Sequence, residues 1–225
     1  MKKVEGVGVI TEVIEDYAYL RYRNSNQVVT LKGVGDNFIE QDRIPKENIV
    51  EGELKLTENG IPYAIVGRGI QYSLSIAVND PLFPLEVFYI KNIKPSGLTD
   101  PSQYYSKKNI VPGGVFSIVQ GFDENYVIVP LQFTRELLDY GDKRTSLEVK
   151  TNGKRASFEV EDQLQAVLGD QFNVMNHEEQ HLDLYRLLKM EKLFAFLALT
   201  LLLIILLVLL IVGAIGPGRS WYGRR

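Results

Sequence analysis

Apolar and polar positions alternate along most of the chain, and that pattern gives way to an unbroken apolar run near residue 193. In Val4 to Ile14 (VEGVGVITEVI), Tyr17 to Tyr22 (YAYLRY) and Gln27 to Leu31 (QVVTL), β-branched and aromatic residues are separated by the turn formers Glu15-Asp16 and Asn24-Ser25-Asn26. This predicts three strands with short connections. Asn59-Gly60 and Gly67 bracket a short buried strand, IPYAIV, and Ile70, Leu74 and Ile76 share a helical face over Arg68 to Ile76. Pro81 and Pro84 open PLFPLEVFYIK, whose second half is apolar on both sides and reads as a strand buried on two faces. Residues 92–112 hold Pro95, Gly97, Pro101 and Pro112 with Tyr104-Tyr105 and Lys107-Lys108, which reads as an exposed loop or hairpin tip suited to meeting a partner.

Val115 to Gln120 and Tyr126 to Val129 read as strands, and Pro130 opens a helix, LQFTRELLDY, that Gly141 stops. Thr145 to Lys150 is a strand ending at the turn Asn152-Gly153. Ser157 to Leu168 is a helix with Val160, Leu164, Val167 and Leu168 on one side, and Phe172 to Met175 is a short strand. This order of strands and helices predicts an α+β fold, a sheet covered by helices. Residues 178–192 space Leu182, Leu184, Tyr185 and Leu188 as a helix does and run on without proline or glycine. From Leu193 to Gly218 there is no Asp, Glu, Lys or Arg. The helix over 193–215 is about 34 Å long, enough for the ~30 Å hydrocarbon core, and predicts a transmembrane helix continuous with a stalk.

Composition narrows the function. The 225 residues carry a formal charge of −3 and no cysteine, so there is no disulfide framework, thiolate nucleophile or thiolate metal site. Taking Arg219, Arg224 and Arg225 from the 25 Lys+Arg leaves 22 against 28 Asp+Glu in residues 1–192, a formal charge of −6. That balance argues against nucleic acid as a partner. The start, MKKVEGVGVITEVIEDY, has no apolar run of the kind a signal peptide needs. Trp221, Tyr222 and the three arginines suit a membrane interface, but Arg186, Lys189 and Lys192 balance those arginines across the span, so charge counting leaves the orientation open.

The candidate chemistry is sparse. His177-Glu178-Glu179-Gln180-His181 fits H-E-x-x-H, in which two histidines one helical turn apart hold zinc and the glutamate activates water. These are the only two histidines, and a third ligand would have to come from Asp183 or from Glu191, about 15 Å along the same helix. We therefore read His177, Glu178 and His181 as a chance match and assign no metal. Gly67-Arg68-Gly69 lacks the third glycine of a dinucleotide fingerprint, no phosphate-binding loop is present, and Val111-Pro112-Gly113-Gly114 reads as a turn before a strand. Gly6 and Gly8 read as marking a bulge or a close approach of backbones, and Asp123-Glu124 as an ordinary turn pair. No catalytic or cofactor-binding residue is predicted.

The order of several short segments nevertheless resembles a known family. Val111-Pro112-Gly113-Gly114-Val115-Phe116, Tyr126-Val127-Ile128-Val129-Pro130-Leu131, Arg135-Glu136-Leu137-Leu138-Asp139-Tyr140-Gly141, Leu147-Glu148-Val149-Lys150 and Leu184-Tyr185-Arg186 are similar to the extracytoplasmic domain of FtsX-type ABC transporter permeases. Within these the chain most resembles the lipoprotein-releasing LolC and LolE group and its MacB relatives. Ala64 to Ile70 and Val78 to Pro81 extend the resemblance, which covers about residues 60–203 well and 1–59 loosely.

The resemblance implies two small mixed α/β lobes, the MacB-like periplasmic core, over 1–177, β-rich in 1–110 and α+β in 111–177. A stalk helix over 178–192, a transmembrane helix over 193–215 and a short basic, aromatic tail over 216–225 would follow. It implies a non-enzymatic permease subunit of the inner membrane with its soluble part in the periplasm. The implied partners are a cytoplasmic ATPase subunit, a second permease copy or paralogue, and a lipoprotein or other envelope substrate. It also implies membrane helices before residue 1 and after the span, so the chain reads as a piece of such a permease. Two other readings stay open: a tail-anchored scaffold or binding protein with a cytosolic domain, and a membrane-tethered zinc peptidase using His177, Glu178 and His181.

Overall fold

The first strand, β1 (Val7–Tyr22), runs straight through Glu15-Asp16, where the sequence pattern calls for a turn. Each carboxylate has a partner that lets it stay in the strand: Glu15 accepts a hydrogen bond from the Tyr126 hydroxyl at 3.0 Å, and Asp16 accepts from Tyr89 and Tyr140. Two strands therefore stand where three are expected, the second being β2 (Ser25–Val34), which pairs antiparallel with β1 from Tyr22↔Ser25 to Val13↔Val34. The computed structural model describes residues 4–80, 82–91, 101–152, 157–176 and 182–214. The chain divides into two compact units, Lys2–Arg155 and Ala156–Arg225.

The first unit contains β3 (Ile49–Gly52), β4 (Thr57–Glu58), β5 (Ile61–Gly67), β6 (Leu85–Ile90), β7 (Tyr105–Phe116), β8 (Tyr126–Pro130) and β9 (Ser146–Thr151). Six strands pair in a ring. β2 lies parallel to β8, β8 antiparallel to β5, β5 parallel to β7, β7 antiparallel to β6, and β6 antiparallel to β1. Closure into a barrel satisfies the strand edges without another chain. β3 adds to the end of β7, β4 forms a hairpin with β5 through Asn59-Gly60, both at positive φ, and β9 adds to the first half of β1.

β5 and β8 run in opposite directions, so the helices that follow them close opposite ends of the barrel. These are α1 (Arg68–Leu74) after β5 and α3 (Leu131–Leu138) after β8. Ile70 and Leu74 from α1, and Phe133, Leu137 and Leu138 from α3, join Ile14, Leu20, Leu31, Val66, Val87 and Val127 in the inner core. Each such fully buried side chain contributes about 1.5–3 kcal/mol. A second core lies on the outside of the barrel, where Phe38, Ile44 and Leu56 pack on Val13, Val34, Ile65, Phe116 and Ile128.

Several sequence expectations need correction. β6 alternates, with Leu85 and Val87 buried but Phe88 only partly buried and Ile90 exposed, so it is buried on one face. Tyr105 to Ile110 belong to a strand paired with β6 rather than to a loop, because the charges of Lys107 and Lys108 are met by Glu86 and Glu136. Val111 to Gly114 continue that strand instead of turning: the register against β5 skips Gly113, a bulge pressed on the Tyr63 ring. β7 ends at Phe116, not at Gln120, because the Asp123 carboxylate draws the chain aside into α2 (Gln120–Asp123), accepting from Ser117 Oγ at 2.9 Å and the Ile118 N–H at 2.8 Å.

The second unit holds α4 (Ser157–Leu168) and α5 (Leu182–Ala214). Val160 and Leu164 are buried, while Val167 is exposed. Phe172 to Met175 is not a strand. The Gln165 side chain engages its backbone, donating to the Phe172 carbonyl at 2.9 Å and accepting from the Val174 N–H at 3.0 Å. α5 is one unbroken helix of 33 residues, about 50 Å long.

Candidate functional site

Strand alternation gives the barrel two outer walls. On one, Tyr17, Tyr19 and Arg21 of β1 point outward with Glu86, Phe88 and Ile90 of β6 and Tyr105 and Lys107 of β7. Tyr19 meets Phe88 edge-on at 5.9 Å between centroids, and Phe88 meets Tyr105 at 5.9 Å. Arg21 and Lys107 each lie 5.2 Å from the Phe88 ring centre, and both donate to the Glu86 carboxylate. Hydrogen bonds from these two cations hold the Glu86 carboxyl below its ordinary range. The charges are thus satisfied within the wall, while Tyr17 and Ile90 are 72% and 75% exposed and Val28 and Tyr105 are exposed beside them. A row of exposed apolar and aromatic groups with a paired polar centre has the make-up of a contact surface.

The other wall is covered. Residues 35–56 cross it and bury Phe38, Ile44 and Leu56. A polar network fastens the cover's edge: Lys32 donates to Glu148 at 2.6 Å, Arg43 lies 3.3 Å from Glu148 and donates to Gln41 at 2.6 Å, and the fully buried Gln41 donates to Thr11. Tyr126 reaches Glu15 from beneath. Burial, then the Glu15 charge, pushes the Tyr126 hydroxyl up to about 12. Tyr89 is pushed up to about 12 by burial and by Asp16, and Tyr140 is raised for the same reasons. These phenols are held neutral as donors to carboxylates, an arrangement that fixes strands rather than one that activates a nucleophile.

The residues singled out in the sequence are distributed as follows. Gly67 and Gly69 face Asp123 and Glu124, where any side chain would collide with α2, so these glycines serve packing and not phosphate binding. Asp123 is buried, its carboxylate taken up by Ser117 and the Ile118 N–H. His177, Glu178 and His181 lie outside the described residues, and among the described residues no three His, Asp or Glu stand together as metal ligands. The segment Lys192–Ile211 has a mean hydropathy of 3.4 and is exposed throughout, a helix long and apolar enough to cross a membrane. The bare wall escaped sequence reasoning, although the alternation in YAYLRY and LEVFYI already puts Tyr17, Tyr19 and Arg21, and Glu86, Phe88 and Ile90, on common faces.

No protein-family model matches the sequence, and no curated protein matches it either. Solved structures do. The chain is similar to the extracellular domain of YknZ, a noncanonic ABC-type transporter from Gram-positive bacteria, with a TM-score of 0.50 and 14% identity over 78% of this chain and 84% of that one. It is similar to the periplasmic region of MacB from Actinobacillus actinomycetemcomitans, with a TM-score of 0.50 and 13% identity over 82% of this chain and 78% of that one. The chain therefore has the mixed α/β fold of the extracytoplasmic domains of ABC-type transporters of the MacB kind, which bears out the resemblance read from its sequence. At these identities the likeness is one of fold.

Proposed function

We propose that this chain is part of a permease subunit of an ABC transporter of the FtsX, LolC/LolE and MacB type. Its barrel stands on the outer side of the inner membrane and its helix over 193–215 crosses the bilayer, with 178–192 as a stalk and 216–225 as an interfacial tail. The observation that carries this reading is the likeness in fold to two extracytoplasmic transporter domains, in a chain that also holds an unbroken 33-residue helix, Leu182–Ala214, with a fully exposed apolar stretch. Such an apolar surface finds its solvent in lipid. The helix has no proline and no break among its described residues, so it can pass a displacement along its axis as a rigid rod.

On this reading the chain is not itself an enzyme. A separate cytoplasmic ATPase supplies the work, and a second permease copy or a paralogue completes the membrane part. The barrel passes the resulting motion to a lipoprotein or another envelope substrate, with the bare wall around Tyr17, Ile90 and Tyr105 as the contact surface. Topology tests the reading. A reporter active only outside the cytoplasm, fused before Leu193, is expected to be active, and one active only in the cytoplasm, fused after Arg225, is expected to be active as well. The reverse pattern would sink the permease reading and favour a tail-anchored protein with a cytosolic domain.

A further inference from the structure

The first half of β1 and the whole of β9 form a two-stranded ribbon outside the six-strand ring, and β9 pairs with no other strand among the described residues. The outer ends of the ribbon, Val7 and Thr151, are cross-strand partners. The chain therefore enters and leaves the barrel side by side. Separating these two ends parts the pairs one after another, beginning at Val7 and Thr151, instead of loading all of them together. The outer end is irregular, and beyond its last pair the Asn152 N–H donates to the Gly6 carbonyl at 2.8 Å. The register slips between Val7 and Ile10, and Gly8 sits so close to Asn152 and the Lys150 carbonyl that a Cβ there would collide.

From Ile10 inward the ribbon is fastened by Lys32 of β2 and by groups that belong to the cover of the barrel's outer core. Glu148 of β9 binds Lys32 and Arg43, Lys150 of β9 donates to the Gln41 carbonyl, and Asn37 donates to the Ile10 carbonyl at 2.9 Å. Arg43, Gln41 and Asn37 lie between Phe38 and Ile44 or beside them, and these two are the apolar anchors of the cover. β9 thus holds the cover at two points, Arg43 and the Gln41 carbonyl, and cannot leave without loosening residues 41–43.

We propose that β9 is a latch on segment 36–44. Parting of the ribbon from its Val7–Thr151 end releases the cover and bares the apolar wall of Val13, Val34, Ile65, Phe116 and Ile128, while the six-strand ring stays closed. The latch is a property of the barrel alone and holds whichever side of a membrane the barrel faces, so its failure leaves the permease reading standing.

Amide hydrogen exchange of the full chain in detergent micelles tests it, because cooperative opening units exchange together. Residues 146–151 and 36–44 are expected to exchange at one common rate, faster than β2, β5 and β8. Glu148→Gln is expected to speed both segments by about tenfold, the effect of losing a charge-assisted hydrogen bond between partly buried groups, with the ring unchanged. A second variant, Glu12→Cys with Leu147→Cys, joins a directly opposed pair in the ribbon, and in a chain with no other cysteine a single disulfide forms. Oxidation is expected to slow exchange in 36–44 as well as in 146–151, and reduction to restore it. Slowing confined to the ribbon, no change in 36–44 in either variant, or an equal rise in every strand would overturn the latch.

Discussion

The two outer walls of the barrel are built by the same alternation of inward and outward side chains, yet they end differently. On the covered wall the outward residues Val13, Val34, Ile65, Phe116 and Ile128 are buried under Phe38, Ile44 and Leu56 and sealed by the network around Glu148. On the bare wall the outward residues Tyr17, Val28 and Ile90 stay exposed, and the one charged cluster, Arg21, Glu86 and Lys107, is self-contained. Ring closure explains how the second wall can be left open. Six paired strands and a core plugged at both ends by α1 and α3 hold without a cover on that side. The covered wall is thus where the outer part of the fold gains stability, and the bare wall is free to serve contact.

The largest effect that tests this contrast is Phe38→Ala. Phe38 is only 4% exposed, so its truncation removes a large buried ring from the outer core, and a loss of about 3–5 kcal/mol is expected in urea unfolding followed by circular dichroism. A loss below about 1 kcal/mol would mean that the cover rests on the barrel without stabilising it, and the contrast between the walls would collapse.

Next in size is Tyr126→Phe, which removes the hydroxyl that Glu15 accepts at 3.0 Å and is expected to cost about 1 kcal/mol near neutral pH. The pH dependence sharpens it. The folded Tyr126 hydroxyl ionises at about 12, above the ~10 of an unfolded tyrosine, so the folded form keeps its proton longer. The stabilisation is full below pH ~10 and is lost as pH rises from there toward about 12. Tyr89 behaves in the same way beside Asp16. An ultraviolet absorbance titration should therefore show late-ionising tyrosines, one fewer in the Tyr126→Phe variant. Ionisation of every tyrosine near pH ~10 would contradict the burial assigned to these groups.

Smaller still is Glu86→Gln on the bare wall, expected to cost less than about 1 kcal/mol because its partners Arg21 and Lys107 are well exposed. The sign of its pH dependence is opposite to that of the tyrosines. The folded carboxyl is depressed, so its contribution is present above pH ~4.3 and is lost as pH falls through the lowered folded value. Wild type and variant should converge in stability at acid pH. A gap that persists there would assign the effect to packing on Phe88 rather than to charge.

How much of this was legible in the sequence depended on whether a signal was local. Helices α1, α3 and α4 and strands β5, β8 and β9 followed from periodicity and from Pro, Gly and Asn punctuation. The apolar run after Leu193 was equally plain, because length and absence of charge are properties of the segment alone. Glu15-Asp16 misled because the tyrosine hydroxyls that absorb those carboxylates come from residues 89, 126 and 140, far along the chain. Gly113 and Gly114 misled for the same reason, since what they accommodate is the approach of Tyr63 and Glu53. Residues 35–56 gave no periodic signal, and the cover they form became visible only once β9 and β7 had placed their partners. The bare wall was written in alternation but not recognised, because alternation says which residues share a face and not whether another segment lies over it.

The smallest expected effect is the one that decides whether that wall is bare. Tyr17→Ser and Ile90→Ser replace residues that are 72% and 75% exposed, and each should change the unfolding free energy by no more than about 0.5 kcal/mol. The double variant should stay near the sum of the two, since neither residue supports a core. A loss above about 1.5 kcal/mol in the double variant would show that another part of the chain covers the wall in solution, which would remove it as a contact surface. On the permease reading, near-zero change in stability together with a loss of transport is the outcome that assigns the wall to contact. The same fold would then keep one wall for its own stability and leave the other for a partner.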